Sequence, residues 1–141
     1  MFIYFLQSSI TPVALISGVG LILLSLTNRL GRTIDRSRTL ISEYRTAQEH
    51  RKHLIQEQLM ILNRRNRFLK KAMGGISFSI LTSSLMIPVL LIMNIVSFDL
   101  SIVGSLLLVL SIGGIIVSSV YFFADVSLSL KALELEMKDM D

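Results

Sequence analysis

The chain contains no cysteine, so a disulfide framework, a thiolate metal site and a cysteine nucleophile are all excluded. Histidine is almost as scarce. His50 and His53 are the only two, set three apart in a polar stretch beside Glu49 and Glu57. That is too few ligands for a dedicated metal centre, and no cofactor motif accompanies them. Charge is missing over long distances: residues 1–28, 72–98 and 100–124 hold no Asp, Glu, Lys or Arg. Glycine and proline are missing where the charge collects, since neither occurs between Arg32 and Met73. That absence favours long helices.

What is present follows the same segregation. A helix needs about 20 apolar residues to cross the hydrocarbon core, and each uncharged stretch is long enough. The mean hydropathy of +0.66 over 141 residues exceeds what a soluble domain of this size can bury. The expected fold is an all-α integral membrane protein, one membrane domain over 1–141 with spans near 9–30, 72–97 and 100–124. Residues 29–71 carry twelve basic and four acidic side chains, a net of +8. Basic residues beside span ends stay in the cytoplasm. The N-terminus is therefore expected outside, and both the 31–71 segment and the tail after Asp125 inside. A secretory signal peptide is disfavoured, because the charge follows the apolar run and Asn28-Arg29-Leu30 is a poor cleavage site.

Ser9 or Thr11 is expected to cap the first helix, with Pro12 at its first position. Gly18 and Gly20 would then admit a neighbouring helix. Leu30, Ile34, Ser37, Ile41 and Tyr44 are spaced 4-3-4-3, and Ile55, Leu59, Leu62, Asn66, Leu69 and Met73 recur at the same heptad intervals. These read as two coiled-coil seams on the arms of a cytoplasmic helical hairpin over 31–71. Gln48–His53 is the expected reversal, and about 20 residues per arm project about 30 Å at 1.5 Å per residue. Residues 126–140 repeat the apolar spacing and form an amphipathic helix expected against the base of the hairpin.

The order Leu26-Thr27-Asn28-Arg29-Leu30, then Asp35-Arg36 and Arg38, resembles a bacterial group of small three-span membrane proteins. So do Asn63-Arg64-Arg65-Asn66-Arg67 before span two, and Asp125 with Ser129-Leu130 after span three. The group is filed as domain of unknown function 2721. The resemblance covers nearly the whole chain and implies a bacterial inner-membrane location and no particular activity.

Few residues stand out as functional candidates. Asp125 and Arg29 both fall at the inner interface, where a lone carboxylate is costly unless paired. With Asn28 they form an expected structural interface pair, or alternatively a gate at the mouth of a pore. Asp99 stands in the outer turn, as N-cap of span three or as a ring of carboxylates in a symmetric assembly. Pro88 removes the hydrogen bond to the Ser84 carbonyl and sets a kink or hinge. Asn94 and the serines of spans two and three bond across helices or line a hydrated path. Arg64, Arg65, Arg67, Lys70 and Lys71 form a lipid-facing basic cluster, which the positive-inside rule already explains. No nucleic-acid partner is expected, because topology explains the positive charge and no aromatic interleaving accompanies it. The histidines lie outside the spans and the two aspartates on opposite sides, so no enzyme is expected.

Two functions remain. The first is a homo-oligomeric ion-conducting pore, cation-selective if its carboxylates line the path, assembled through the cytoplasmic helices and spans. The second is a non-conducting scaffold or accessory subunit whose hairpin binds a cytoplasmic protein partner.

Overall fold

The computed structural model describes residues 2–96 and 100–138, except the side chains of 2, 4, 5, 96 and 131–138. They form three helices, α1 (Phe2–Thr46), α2 (Glu49–Val96) and α3 (Ser101–Lys138), and no strand occurs among the described residues. Each helix holds a stretch long and apolar enough to cross a membrane. The all-α architecture with three membrane-length helices, expected from the gaps in charge, is observed.

Two helix boundaries differ from expectation. Pro12 lies inside α1, which starts at Phe2. The apolar residues from Phe2 to Leu6 already propagate a helix, and a proline this near the end removes only the bond to the Ser8 carbonyl. Its ring is fully buried, which offsets part of that loss. The reversal is also shorter than Gln48–His53, because only Ala47 and Gln48 are non-helical. The Gln48 carbonyl accepts from the Arg51 N–H (3.0 Å) and the Lys52 N–H (3.2 Å). Glu49 in the first turn complements the helix dipole. His50 and His53 therefore sit on α2 and not in a turn. Asp99 and the outer turn around it lie outside the described residues.

Contacts group the chain into two compact units, Met1–Ser25 with Met73–Ser118, and Leu26–Ala72 with Ser119–Asp141. The first has an inverted pattern. Ser79, Thr82, Ser83, Ser111 and Ser118 are buried beside Val19, Ile76 and Met86, while Leu21, Ile102 and Val109 are exposed. In lipid the hydrophobic effect cannot drive helices together, so small residues and interhelical hydrogen bonds do. Backbones approach closely at Gly75 and Gly114. A Cβ built on Gly75 would stand 2.8 Å from the Gly114 carbonyl oxygen, and one on Gly114 would stand 2.7 Å from the Gly75 oxygen. Gly18 and Gly20, expected to admit a neighbour, have nothing within 4 Å of such a Cβ; they lie away from the packed face. Ser111 is the polar hub of this unit. Its hydroxyl meets those of Ser79 (2.8 Å) and Ser83 (2.6 Å) and the Ser79 carbonyl (3.2 Å).

In the second unit α1 and α2 pair antiparallel: Thr33 meets Asn66 at 2.5 Å, and farther along Tyr44 accepts from Gln56 at 3.0 Å. The α2 seam runs as its spacing indicates, with Ile55, Leu62 and Leu69 buried and Leu59 partly so. The α1 seam is corrected at two positions. Thr33 and Leu40 are buried, whereas Ile34 and Ile41 are exposed. The inward row is Leu30, Thr33, Ser37, Leu40, Tyr44 and Ala47, a 3-4-3-4-3 spacing that shares half its members with the expected 4-3-4-3 row. Both rows alternate steps of three and four residues, so spacing alone cannot separate them.

Candidate functional site

Among the described residues, Asp125 is the one charged side chain that is fully buried, with none of its surface exposed. It lies on α3 one position past the end of a 25-residue uncharged run. An isolated carboxylate there would be strongly disfavoured. Two arginines compensate it. Arg65 on α2 donates from Nε to Oδ1 at 3.1 Å, and Arg29 on α1 brings Nη2 to 3.8 Å from Oδ2. The second distance is an ion pair without a hydrogen bond, so Oδ2 is buried and accepts none.

Aromatic rings close around the cluster. The Arg29 guanidinium lies 4.9 Å from the centre of the Phe122 ring, three residues before Asp125 on the same face of α3. Phe68 stacks on Tyr121 at 6.4 Å, and Lys71 Nζ lies 5.3 Å above the Tyr121 ring. Cation–π contacts of this kind contribute about 0.5–1 kcal/mol each, more where water is excluded.

A groove opens beside the ion pair, about 280 Å³ in volume and lined by Arg29, Arg32, Thr33, Arg36, Leu62 and Arg65. The α1 arginines are at positions i, i+3 and i+7, which place them on one helical face. Thr33 is fixed there by its hydroxyl, shared between the Leu30 carbonyl at 2.9 Å and the Asn66 side chain.

The candidates named from sequence are distributed unevenly around this cluster. Arg29 and Asp125 are brought together, while Asn28 is exposed and takes no part in the pair. Arg65, expected in the lipid-facing cluster, turns inward and has only 17% of its side chain exposed. It stands three residues after Leu62 on the flank of the α2 seam. Arg64, Arg67, Lys70 and Lys71 are exposed as a basic cluster. Asn94 is half-buried near the end of α2 and Pro88 is exposed. Asp99 lies outside the described residues. His53 Nδ1 is 3.7 Å from Glu57. No group of three or more metal-ligating side chains occurs among the described residues. Sequence reasoning missed the Arg65 contact, the Gly75–Gly114 approach and the role of Ser111.

Chemically, the cluster is a neutralising clamp that ties all three helices of its unit together, next to an open basic groove. A family model described as "Protein of unknown function (DUF2721)" matches residues 9–135. No curated protein and no solved structure matches the chain.

Proposed function

We propose that this chain, which belongs to the DUF2721 family of proteins of unknown function, is a non-catalytic, non-conducting membrane scaffold whose helical hairpin docks a protein partner. The observation that carries this reading is that Asp125 and the buried serines, polar groups a conduction path would use, are engaged inside the chain. Asp125 is fully buried and engaged by Arg65 and Arg29. Ser111 hydrogen-bonds to both Ser79 and Ser83. A conduction path needs polar atoms free to replace an ion's hydration shell.

The hairpin has surface to spare. Ile34 (37% exposed) and Ile41 (46%) stand seven apart on one face of α1, the spacing by which an amphipathic partner helix is gripped. The strong basic excess of residues 29–71 supports a cytoplasmic hairpin with the N-terminus outside, and the family resemblance supports a bacterial inner membrane. A homo-oligomeric pore is the second reading, and its support is Asn94, half-buried near the end of α2.

Reconstitution in liposomes separates the two. Scaffold function predicts ion flux equal to that of empty vesicles for sodium, potassium and chloride. Flux that Asn94→Leu or Asp99→Asn abolishes would overturn it in favour of the pore. In native membranes, crosslinks between the hairpin and its partner should be lost in Ile34→Ser/Ile41→Ser while helical content is retained.

A further inference from the structure

The groove beside the ion pair carries more charge than the described residues neutralise. Four guanidinium groups line it, those of Arg29, Arg32, Arg36 and Arg65. One carboxylate, Asp125, serves two of them, so among the ion pairs of the described residues four positive charges meet one negative and three are left in excess. No ion pair engages Arg32 or Arg36 among the described residues, and both are exposed. Like charges held this close repel, and a bound anion relieves that repulsion.

The geometry points to a binding site for a phosphate-class oxyanion in this groove. Guanidinium forks match the paired oxygens of phosphate. The floor is Leu62 and a Thr33 whose hydroxyl is already engaged, so the free donors all belong to arginines. At about 30 Å³ per water molecule, the 280 Å³ volume accommodates a tetrahedral oxyanion with part of its hydration.

The chain also indicates where the phosphate can come from. Arg29 is the first charge after 28 uncharged residues. Arg32 lies about 4.5 Å farther along α1 and Arg36 about 10 Å farther, at 1.5 Å per residue. Each headgroup layer is about 5–8 Å thick. The phosphate of an anionic lipid reaches Arg29 and Arg32 from the membrane, whereas a free phosphate or phosphorylated metabolite reaches Arg32 and Arg36 from water. The site does not depend on whether the hairpin docks a protein.

The test uses the full chain in phosphatidylcholine nanodiscs, with thermal unfolding followed by circular dichroism. One arm adds phosphatidic acid or phosphatidylglycerol to the bilayer and the other adds inorganic phosphate to the buffer at constant ionic strength. At least one probe should raise the midpoint. Arg32→Gln/Arg36→Gln should weaken the response roughly tenfold or more, and Arg32→Lys/Arg36→Lys should restore it only in part, because charge returns without the fork. Arg38→Gln/Arg45→Gln removes the same charge elsewhere on α1 and should respond as wild type. A response to lipid alone assigns the headgroup, and one to phosphate alone assigns a soluble ligand. No response to either probe, or an equal loss in the Arg38/Arg45 variant, would overturn the site. Arg29 and Arg65 are left intact so that Asp125 keeps its partners.

Discussion

Replacing Asp125 with asparagine keeps the shape of the side chain and removes its charge, so it isolates the electrostatic part of the three-helix clamp. Removing one partner of a buried ion pair costs about 3–5 kcal/mol, because the remaining charge is left uncompensated. Here the asparagine oxygen can still accept from Arg65 Nε, a neutral hydrogen bond contributing about 1 kcal/mol. The expected loss is therefore about 2–4 kcal/mol. Arg65→Gln should cost more, toward the upper part of the 3–5 kcal/mol range. It removes the 3.1 Å bond and leaves a fully buried carboxylate with a partner at 3.8 Å. Arg29→Gln should cost least, about 1–2 kcal/mol, because its contact lacks hydrogen-bond geometry and is better solvated, and the Phe122 contact adds only a fraction. Replacing both charges with apolar groups, Arg65→Met/Asp125→Leu, should recover most of the loss. Reversible unfolding in detergent micelles, followed by helical signal, measures all four values. The reasoning is refuted if Arg29→Gln costs as much as Arg65→Gln, or if the double variant is less stable than either single one.

Further outcomes follow from the packing. Gly75→Ala and Gly114→Ala should each destabilise by about 1–3 kcal/mol, because the new methyl meets a carbonyl oxygen that cannot move aside. Gly74→Ala and Gly113→Ala have open space and should be neutral or stabilising by up to about 1 kcal/mol; the same unfolding assay compares the four. Ser111→Ala should cost about 1 kcal/mol by leaving Ser79 and Ser83 short of a partner, and Ser83→Ala should cost less. Glu49 raises the Lys52 pKa above its ordinary 10.5, first through the hydrogen bond and then through charge. The raised value means that this stabilisation is fully present below pH 10.5 and is lost as pH rises through the folded pKa. Titrating the Lys52 ammonium by NMR in Glu49→Gln should show the pKa falling back.

Charge distribution made the number of membrane-length helices readable, because excluding Asp, Glu, Lys and Arg from a membrane-length run leaves an unambiguous trace. The Arg29–Asp125 contact was readable for a related reason: two opposite charges at matching span ends have few other partners. Arg65 was not, since a basic run beside a span looks alike whether its members face lipid or protein. Only rotation about α2 separates Arg65 from Arg64. On α1 the isoleucines at 34 and 41 attracted the seam by hydrophobicity, yet Thr33 and Leu40 occupy it because Thr33 finds Asn66 across the pair. Glycine contacts were the least legible. Eight glycines occur in the chain, and which two touch backbone to backbone depends on helix rotation that no local pattern encodes.

The clamp also has an order in time. Arg29 and Arg65 both precede Asp125 along the chain, Arg65 by 60 residues. At a synthesis rate of about 5–20 residues per second, Arg65 is made about 3–12 seconds before its carboxylate. During that interval the arginines can stay hydrated at little cost. The carboxylate emerges last, behind an apolar helix, when both cations already exist. The reverse order would leave an acidic group waiting at a membrane edge with nothing to meet. As the sequence is written, the last helix to appear carries the group that completes the assembly.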